Sequence, residues 1–419
     1  MDRVFNRWLV LSIYVSSGSI LVFAHGLIGA GPLFTAAFIA GSTLTLFLFS
    51  RWSDFTIDLA DLLFTMFSCS VVVSFAVNKF GSSPKEVTLL VMSLAAYPAA
   101  RLFAGSKAIA PSFVLVTGMV VVLGAVLTLA ALPTQWSDSY GRPHPVVFGR
   151  FGAAPAQFTL TLGFLIIALV CMRLTAIRAA AAGVLVFTLT VVFAASFVRF
   201  SFVAIGAALM FAYFTSQSHE RRYAAMMMCF LISGIVVGSL ARIELAPRFA
   251  RPSGHVTSDG AGSSSGLVSH HAIQISVPST EPNAKVGQAC PETDMQNSIA
   301  IRKQLYSDAL ALLPAAGLFG IGMDRFMSLS CIRDSQVHNS ILQVAVELGW
   351  VAAAMLIALL VLSVFSLSHL ARQSYETRFA LCGLIFVALL TMAHGRLSRD
   401  SLLFLFLGYT ASIRAIRPR

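Results

Sequence analysis

Charge is scarce in this chain. Only 11% of its 419 residues are charged, and the 18 acids are outnumbered by 29 bases. A water-soluble fold of this length needs far more polar surface to cover its core. With 57% hydrophobic residues and a mean hydropathy of +0.82, a soluble globular protein is excluded. Cysteine is also sparse: there are six, and Cys69, Cys171, Cys229 and Cys382 fall inside apolar runs. Cys290 and Cys331 occupy the one long polar stretch. They lack the spacing of metal ligands, and an oxidising compartment would permit a bridge between them or leave two solvated thiols. The apolar run after MDRVFNRW has no small-residue cleavage site, so it is expected to stay as a first membrane span. No internal repeat stands out.

What remains is apolar and helical. Runs of about 18 to 24 residues have the length of membrane helices. Breaking the sequence at charged or Pro/Gly punctuation predicts an all-α, polytopic membrane protein with about twelve spans, or ten or eleven if the tight turns near 27 and 197 do not separate spans. They are 8–25, 29–49, 55–78, 86–103, 110–132, 156–173, 179–196, 200–214, 224–241, 337–370, 379–394 and 400–414. The net charge of +11 does not mark a nucleic-acid binder, because most Arg and Lys sit in short turns between spans. With the N-terminus inside, the alternation puts fourteen bases in cytoplasmic turns, seven in short outer turns and eight in segment 242–336. This bias predicts both termini in the cytoplasm and the long segment outside. The chain divides into nine spans over 1–241, an outer loop over 242–336, and three spans over 337–419. Within the loop, 251–289 reads as a Ser/Gly/Pro connector. DMQNSIAIRKQLYSDALALL (294–313) reads as a helix with Ile299, Leu305, Ala309 and Leu312 on its apolar stripe.

The outer turns are rich in arginine. Arg142 and Arg150 precede span six, Arg199 lies between spans seven and eight, and Arg396 and Arg399 lie between spans eleven and twelve. The loop adds Arg242, Arg302, Arg325 and Arg333. A guanidinium stays charged and grips phosphate oxygens with two parallel hydrogen bonds, so such a set suits a lipid-linked phosphate or diphosphate. The same residues could serve only to reach lipid headgroups and hold topology. The segment VHNSILQVAVELGW places His338 where span ten meets outer water. An imidazole there can remove a proton from a sugar hydroxyl, or can be a hydrogen-bonded structural residue. Asn339, Gln343 and Glu347 follow at four-residue intervals as one polar stripe. Glu347 lies deeper on the expected helix, in a packing role. Asp58 and Asp61 share a face near the inner end of span three and read as interface charges.

The run HNSILQVAVELG, preceded by GLFGIG and by the helix RKQLYSDALALL, resembles the O-antigen ligase and polymerase superfamily of bacterial envelope glycosyltransferases. SFVRFS and FGRFGAAPAQF resemble, more weakly, two Arg-bearing turns of that family. The resemblance spans about 148–350. It implies a glycosyltransferase C-type membrane fold and transfer of polysaccharide from undecaprenyl diphosphate to a lipid A-core acceptor, with no cofactor or metal. Carried onto this chain, His338 is the base that activates the acceptor, Arg199 and Arg302 hold the diphosphate, and Arg150 or Arg142 supports them. The implied partners are this lipid-linked donor, the acceptor and membrane lipids. One large outer loop, rather than two of similar size, leans toward a ligase over a polymerase. A transporter would instead place polar groups near the bilayer midplane on repeated, broken helices.

Overall fold

The computed structural model describes all residues except 1, 49–55, 79–82, 106–108, 134, 138–142, 197–199, 250–289, 292, 295–296, 334 and 417–419. It is a helical membrane protein. In order the helices are α1 (Asp2–Val15), α2 (Ser17–Ile28), α3 (Pro32–Leu48), α4 (Leu59–Val77), α5 (Pro84–Ala100) and α6 (Pro111–Ala131). A small antiparallel pair, β1 (Gln135–Ser137) and β2 (Pro143–Pro145), precedes α7 (Ala154–Val170), α8 (Ala176–Ala194), α9 (Phe200–Thr215) and α10 (Ser218–Phe249). Then come α11 (Ser298–Ala316), α12 (Phe326–Leu329), α13 (Ser340–Gln343), α14 (Trp350–Ser368), α15 (Tyr375–His394) and α16 (Ser401–Ile416).

Nearly every apolar run forms a helix, because a segment in lipid must satisfy its own backbone polar groups. The span count is lower than twelve by length. Among the described residues, six helices are long and apolar enough to cross a membrane, or seven if the bent pair α1–α2 counts as one, and four more apolar helices have 10–17 residues. Two of the expected spans are broken. The first is split at Ser16, where α1 and α2 meet at 65°. The tenth, 337–370, is a short helix α13, a π turn Val344–Leu348 and a stop at Gly349, and only then the long helix α14. Hydropathy joined the pieces because it registers apolarity and not backbone direction. Helix α10 also runs past 241 to Phe249.

α15 is the central helix: 67% of its apolar window is buried, whereas the other long spans bury between 28% and 39% of theirs and show the rest outward. Aromatic rings tie the neighbours to it. Trp8 and Phe379 each meet Phe113 edge-on, and Phe164 stacks on Phe406 at 5.2 Å, which joins α1, α6, α7, α15 and α16. Such pairs add about 0.5–1.5 kcal/mol each beyond area burial.

The buried charges gather at two opposite ends of the bundle. At one end Asp58 and Asp61 close a capping box on α4. Asp61 takes two hydrogen bonds from Arg101 at 2.8 and 2.9 Å, and Arg414 reaches Asp58 at 2.6 Å. At the same end of α15, Arg378 meets Glu220 at 2.8 Å. These acids are therefore structural counter-ions inside the protein, a closer role than interface charge. At the other end, Glu86 at the start of α5 holds Arg396 at 3.3 Å and Arg399 at 3.2 Å. The sequence alternation put Arg101 with Arg414 and Arg396 with Arg399, and each pair shares an end here.

Candidate functional site

The second end carries the chemistry-bearing residues. The glycine-punctuated GLFGIG lies directly against the segment that follows His338. Ile321 and Gly322 donate backbone hydrogen bonds to the carbonyls of Val346 and Glu347, both at 3.0 Å, and Trp350 donates to Gly317 at 3.0 Å. The two backbones approach so closely that a Cβ on Gly320 would collide with the Glu347 carbonyl, and one on Gly349 with that of Leu318. Both glycines also have positive φ, 74° and 98°, a region that L side chains rarely adopt. The spacing of GLFGIG before HNSILQVAVELG is thus a backbone ladder. Helix α4 supports it from below, since Ser74 Oγ donates to the Phe319 carbonyl at 2.6 Å.

The outer helix α11 is packed on this unit. Asn297 caps it by accepting from Ile299 N and Ala300 N. Leu305 and Ala309 are fully buried with Phe326, Ile332, Val337 and Val346, while Ile299, expected on the same stripe, is 76% exposed. The first turn overhangs the core, so periodicity assigned it one contact too many. Cys290 and Cys331 form a disulfide that brackets α11, with Cα atoms 5.5 Å apart. The Cys331 amide donates to Asp308 of α11 at 2.9 Å.

His338 precedes α13 in a left-handed backbone conformation, φ 56°. It is half-buried. Asn339 caps α13 by accepting from Leu342 N at 3.0 Å. Ser340 Oγ donates to Asp400 in the turn between α15 and α16, and Gln343 accepts from Leu397 N at 3.0 Å in the same turn. The His338 segment is therefore fixed to the 395–400 turn. Burial, then the Arg302 cation, holds the His338 imidazole below the usual 6.5, so it is a free base at neutral pH. Burial pushes the Asp400 carboxyl up to about 7 against the opposing pull of Ser340.

Glu347 is not deeper on a continuous helix. It sits in the π turn, fully buried, and accepts from Gln343 Nε2 at 2.8 Å. Gln343 also donates to Gln336, which donates to Asp324 at 3.2 Å; Asp324 holds Arg396 at 3.0 Å, and Arg396 meets Glu86. Burial pushes the Glu347 carboxyl up to about 7, with the Asp324 charge adding to it. Its side-chain bond is thus to Gln343 within the same segment and not to another helix as expected, and a chain of side chains continues from Gln343 to α5.

The predicted arginines separate. Arg302, on α11, donates to His394 Nδ1 at 3.2 Å and lies within electrostatic reach of His338. Among the described residues it faces no carboxylate, whereas Arg101, Arg378, Arg396, Arg399 and Arg414 each do. Arg396 and Arg399 are thereby partly discharged by Glu86 and do not belong to a set of unpaired phosphate ligands. Arg150 is exposed in the turn between β2 and α7, and no contact joins it to Arg302 or His338 among the described residues. Arg142 and Arg199 lie outside the described residues. Phe200, the residue after Arg199, packs edge-on against His394 at 5.7 Å. Among the described residues, no three His, Cys, Asp or Glu side chains converge as metal ligands would.

Sequence reasoning missed His394, Asp400, Glu86 and Asp324. The signal available was the dense polar interruption HGRLSRD between the last two apolar runs, which carries a histidine and an acid beside its two arginines. No model of a known protein family matches the chain, and no curated protein matches it.

Proposed function

We propose that the protein is a bacterial inner-membrane glycosyltransferase of the O-antigen ligase type, with its site facing the periplasm. It moves polysaccharide from undecaprenyl diphosphate to a lipid A-core acceptor. One observation carries the reading: Arg302, a half-buried cation that faces no carboxylate among the described residues, bonds to His394 and lies within electrostatic reach of His338 at one end of a membrane bundle. An uncompensated guanidinium beside uncharged imidazoles is an anion site with a base next to it. The motif resemblance around His338 names the anion as the donor diphosphate.

The reaction balances on these groups. His338 takes the proton of an acceptor hydroxyl. The oxygen attacks the anomeric carbon, the bond from that carbon to the diphosphate oxygen breaks, and undecaprenyl diphosphate leaves with the electron pair while Arg302 faces its growing charge. A single displacement inverts the anomeric centre. Positioned general-base catalysis contributes about 10²- to 10⁴-fold.

The test is to delete the gene and examine lipopolysaccharide and the lipid-linked pool together. Long chains stranded on undecaprenyl diphosphate support the ligase. Single repeat units on the core would turn the reading to a polymerase, and unchanged glycans would remove the class. In a complemented strain, well-expressed His338→Ala should leave the core uncapped. Capping at the wild-type rate would overturn the base assignment.

A further inference from the structure

We infer that His394 is a positioning residue for Arg302: its Nδ1 lone pair orients the guanidinium toward the donor diphosphate without cancelling the charge. The inference deepens the reading above and rests on it.

Arg302 can only donate, so the 3.2 Å contact requires Nδ1 to be an unprotonated acceptor, with the ring proton on Nε2. A carboxylate in this place would hold Arg302 just as well but would neutralise it, as Glu86 does for Arg396 and Arg399. A neutral imidazole fixes the direction of the cation and leaves its charge for a ligand.

The surroundings hold the imidazole in place. Phe200 from α9 meets the ring at 5.7 Å and 86°. One turn along α11 from Arg302, Tyr306 OH donates to the Met392 carbonyl at 3.2 Å, so α11 docks on the end of α15 through two polar contacts. Gly395, the next residue, lies so close to Ser340 Oγ and the Thr391 carbonyl that a Cβ would collide with both. The end of α15 therefore packs directly on the segment that bears His338, and Ser340 Oγ donates to the Thr391 carbonyl at 3.3 Å. Among the described residues, the charged and titratable groups around His394 are Arg302 from α11 and His338 from the segment before α13. Arg396 in the following turn is already engaged by Glu86 and Asp324.

The experiment measures binding of undecaprenyl diphosphate to the full-length protein in lipid nanodiscs, together with donor KM and kcat in a transfer assay. His394→Ala should weaken binding roughly ten-fold, the size of one hydrogen bond to a charged group. It should raise donor KM and also lower kcat, because Arg302 meets the charge that grows on the leaving diphosphate. His394→Asn, whose amide oxygen is a neutral acceptor, should stay within about three-fold of wild type. His394→Asp should bind at least as weakly as the Ala variant, because it discharges the cation. In an Arg302→Ala background, His394→Ala should add no further loss. Wild-type affinity in His394→Ala, or its full loss repeated on top of Arg302→Ala, overturns the assignment alone. No binding of undecaprenyl diphosphate by the wild type overturns the ligase reading, and the His394 role with it.

Discussion

Three non-glycine residues have a positive φ among the described residues, and two of them, His338 and Asp324, are in the candidate site. For an L residue the left-handed region costs about 1–2 kcal/mol, so surrounding contacts must hold it. At His338 those contacts are the Asn339 cap and the Ser340–Asp400 bond. Of the site residues expected from the sequence, His338 and Arg302 come within electrostatic reach of each other, Arg150 does not join them, and Arg142 and Arg199 lie outside the described residues. His394 was marked locally only by the polar run HGRLSRD, and its pairing with Arg302, 92 positions away, was not legible. The lowered His338 pKa has a kinetic consequence. To act as the proposed base His338 must be neutral, so kcat/KM should rise with pH through a limb below 6.5. Removing the cation in Arg302→Ala should move that limb upward, which a pH profile of the residual activity will read. Glu347 makes the opposite case. Its carboxyl is raised to about 7 in the folded protein, against an unfolded value near 4.5. Its contribution to stability is fully present below about 4.5 and is lost as pH rises through about 7. Glu347→Gln should therefore melt with a flatter pH dependence, gaining roughly 2–3 kcal/mol over wild type between pH 5 and 8.5.

At the scale of elements, the tenth apolar run shows what hydropathy can and cannot read. Val344, Ala345, Val346 and Leu348 are as apolar as the helix after them, and nothing in composition announces the stop. The stop is made by Gly349 at φ 98° and by Gly320 across from it. The π turn it terminates is a rare element that is found frequently at functional sites. Gly349→Ala and Gly320→Ala should each lower stability by about 2 kcal/mol or more, since strain and backbone collision act together. Transfer activity should fall further, because the His338 segment loses its seat. Gly118→Ala, on α6 with open space around it, should be near neutral in the same thermal and transfer assays. Helix α11 was legible from its cap and its periodic Leu305 and Ala309. The bend between α1 and α2 was not, since Ser16 is an ordinary residue within an apolar run.

At the scale of the molecule, the charge alternation along the sequence sorted residues into two sets, and of the ion-paired arginines Arg101, Arg378 and Arg414 lie at one end and Arg396 and Arg399 at the other. The pairing partners were not legible, because Glu220 and Arg378, or Glu86 and Arg399, are far apart in sequence and meet only when the bundle closes. The two ends should respond differently to substitution. Glu220→Gln leaves the buried Arg378 without its counter-ion, and a cost of about 3–5 kcal/mol is expected, read as a lower melting temperature with donor KM unchanged. Arg399→Gln should cost at most about 1 kcal/mol, since that side chain is 54% exposed and its ion pair is screened by water.

The bridge between Cys290 and Cys331 encloses the helix that carries Arg302, and the Cys331 amide is tied to that helix through Asp308. By chain entropy alone, closing 41 residues is worth about 4 kcal/mol to this outer unit. The history of a preparation therefore becomes a variable in its own right. Protein made in a host that oxidises it incompletely will be a mixture of tethered and untethered molecules. Its specific activity will follow the thiol titre before it follows any engineered substitution.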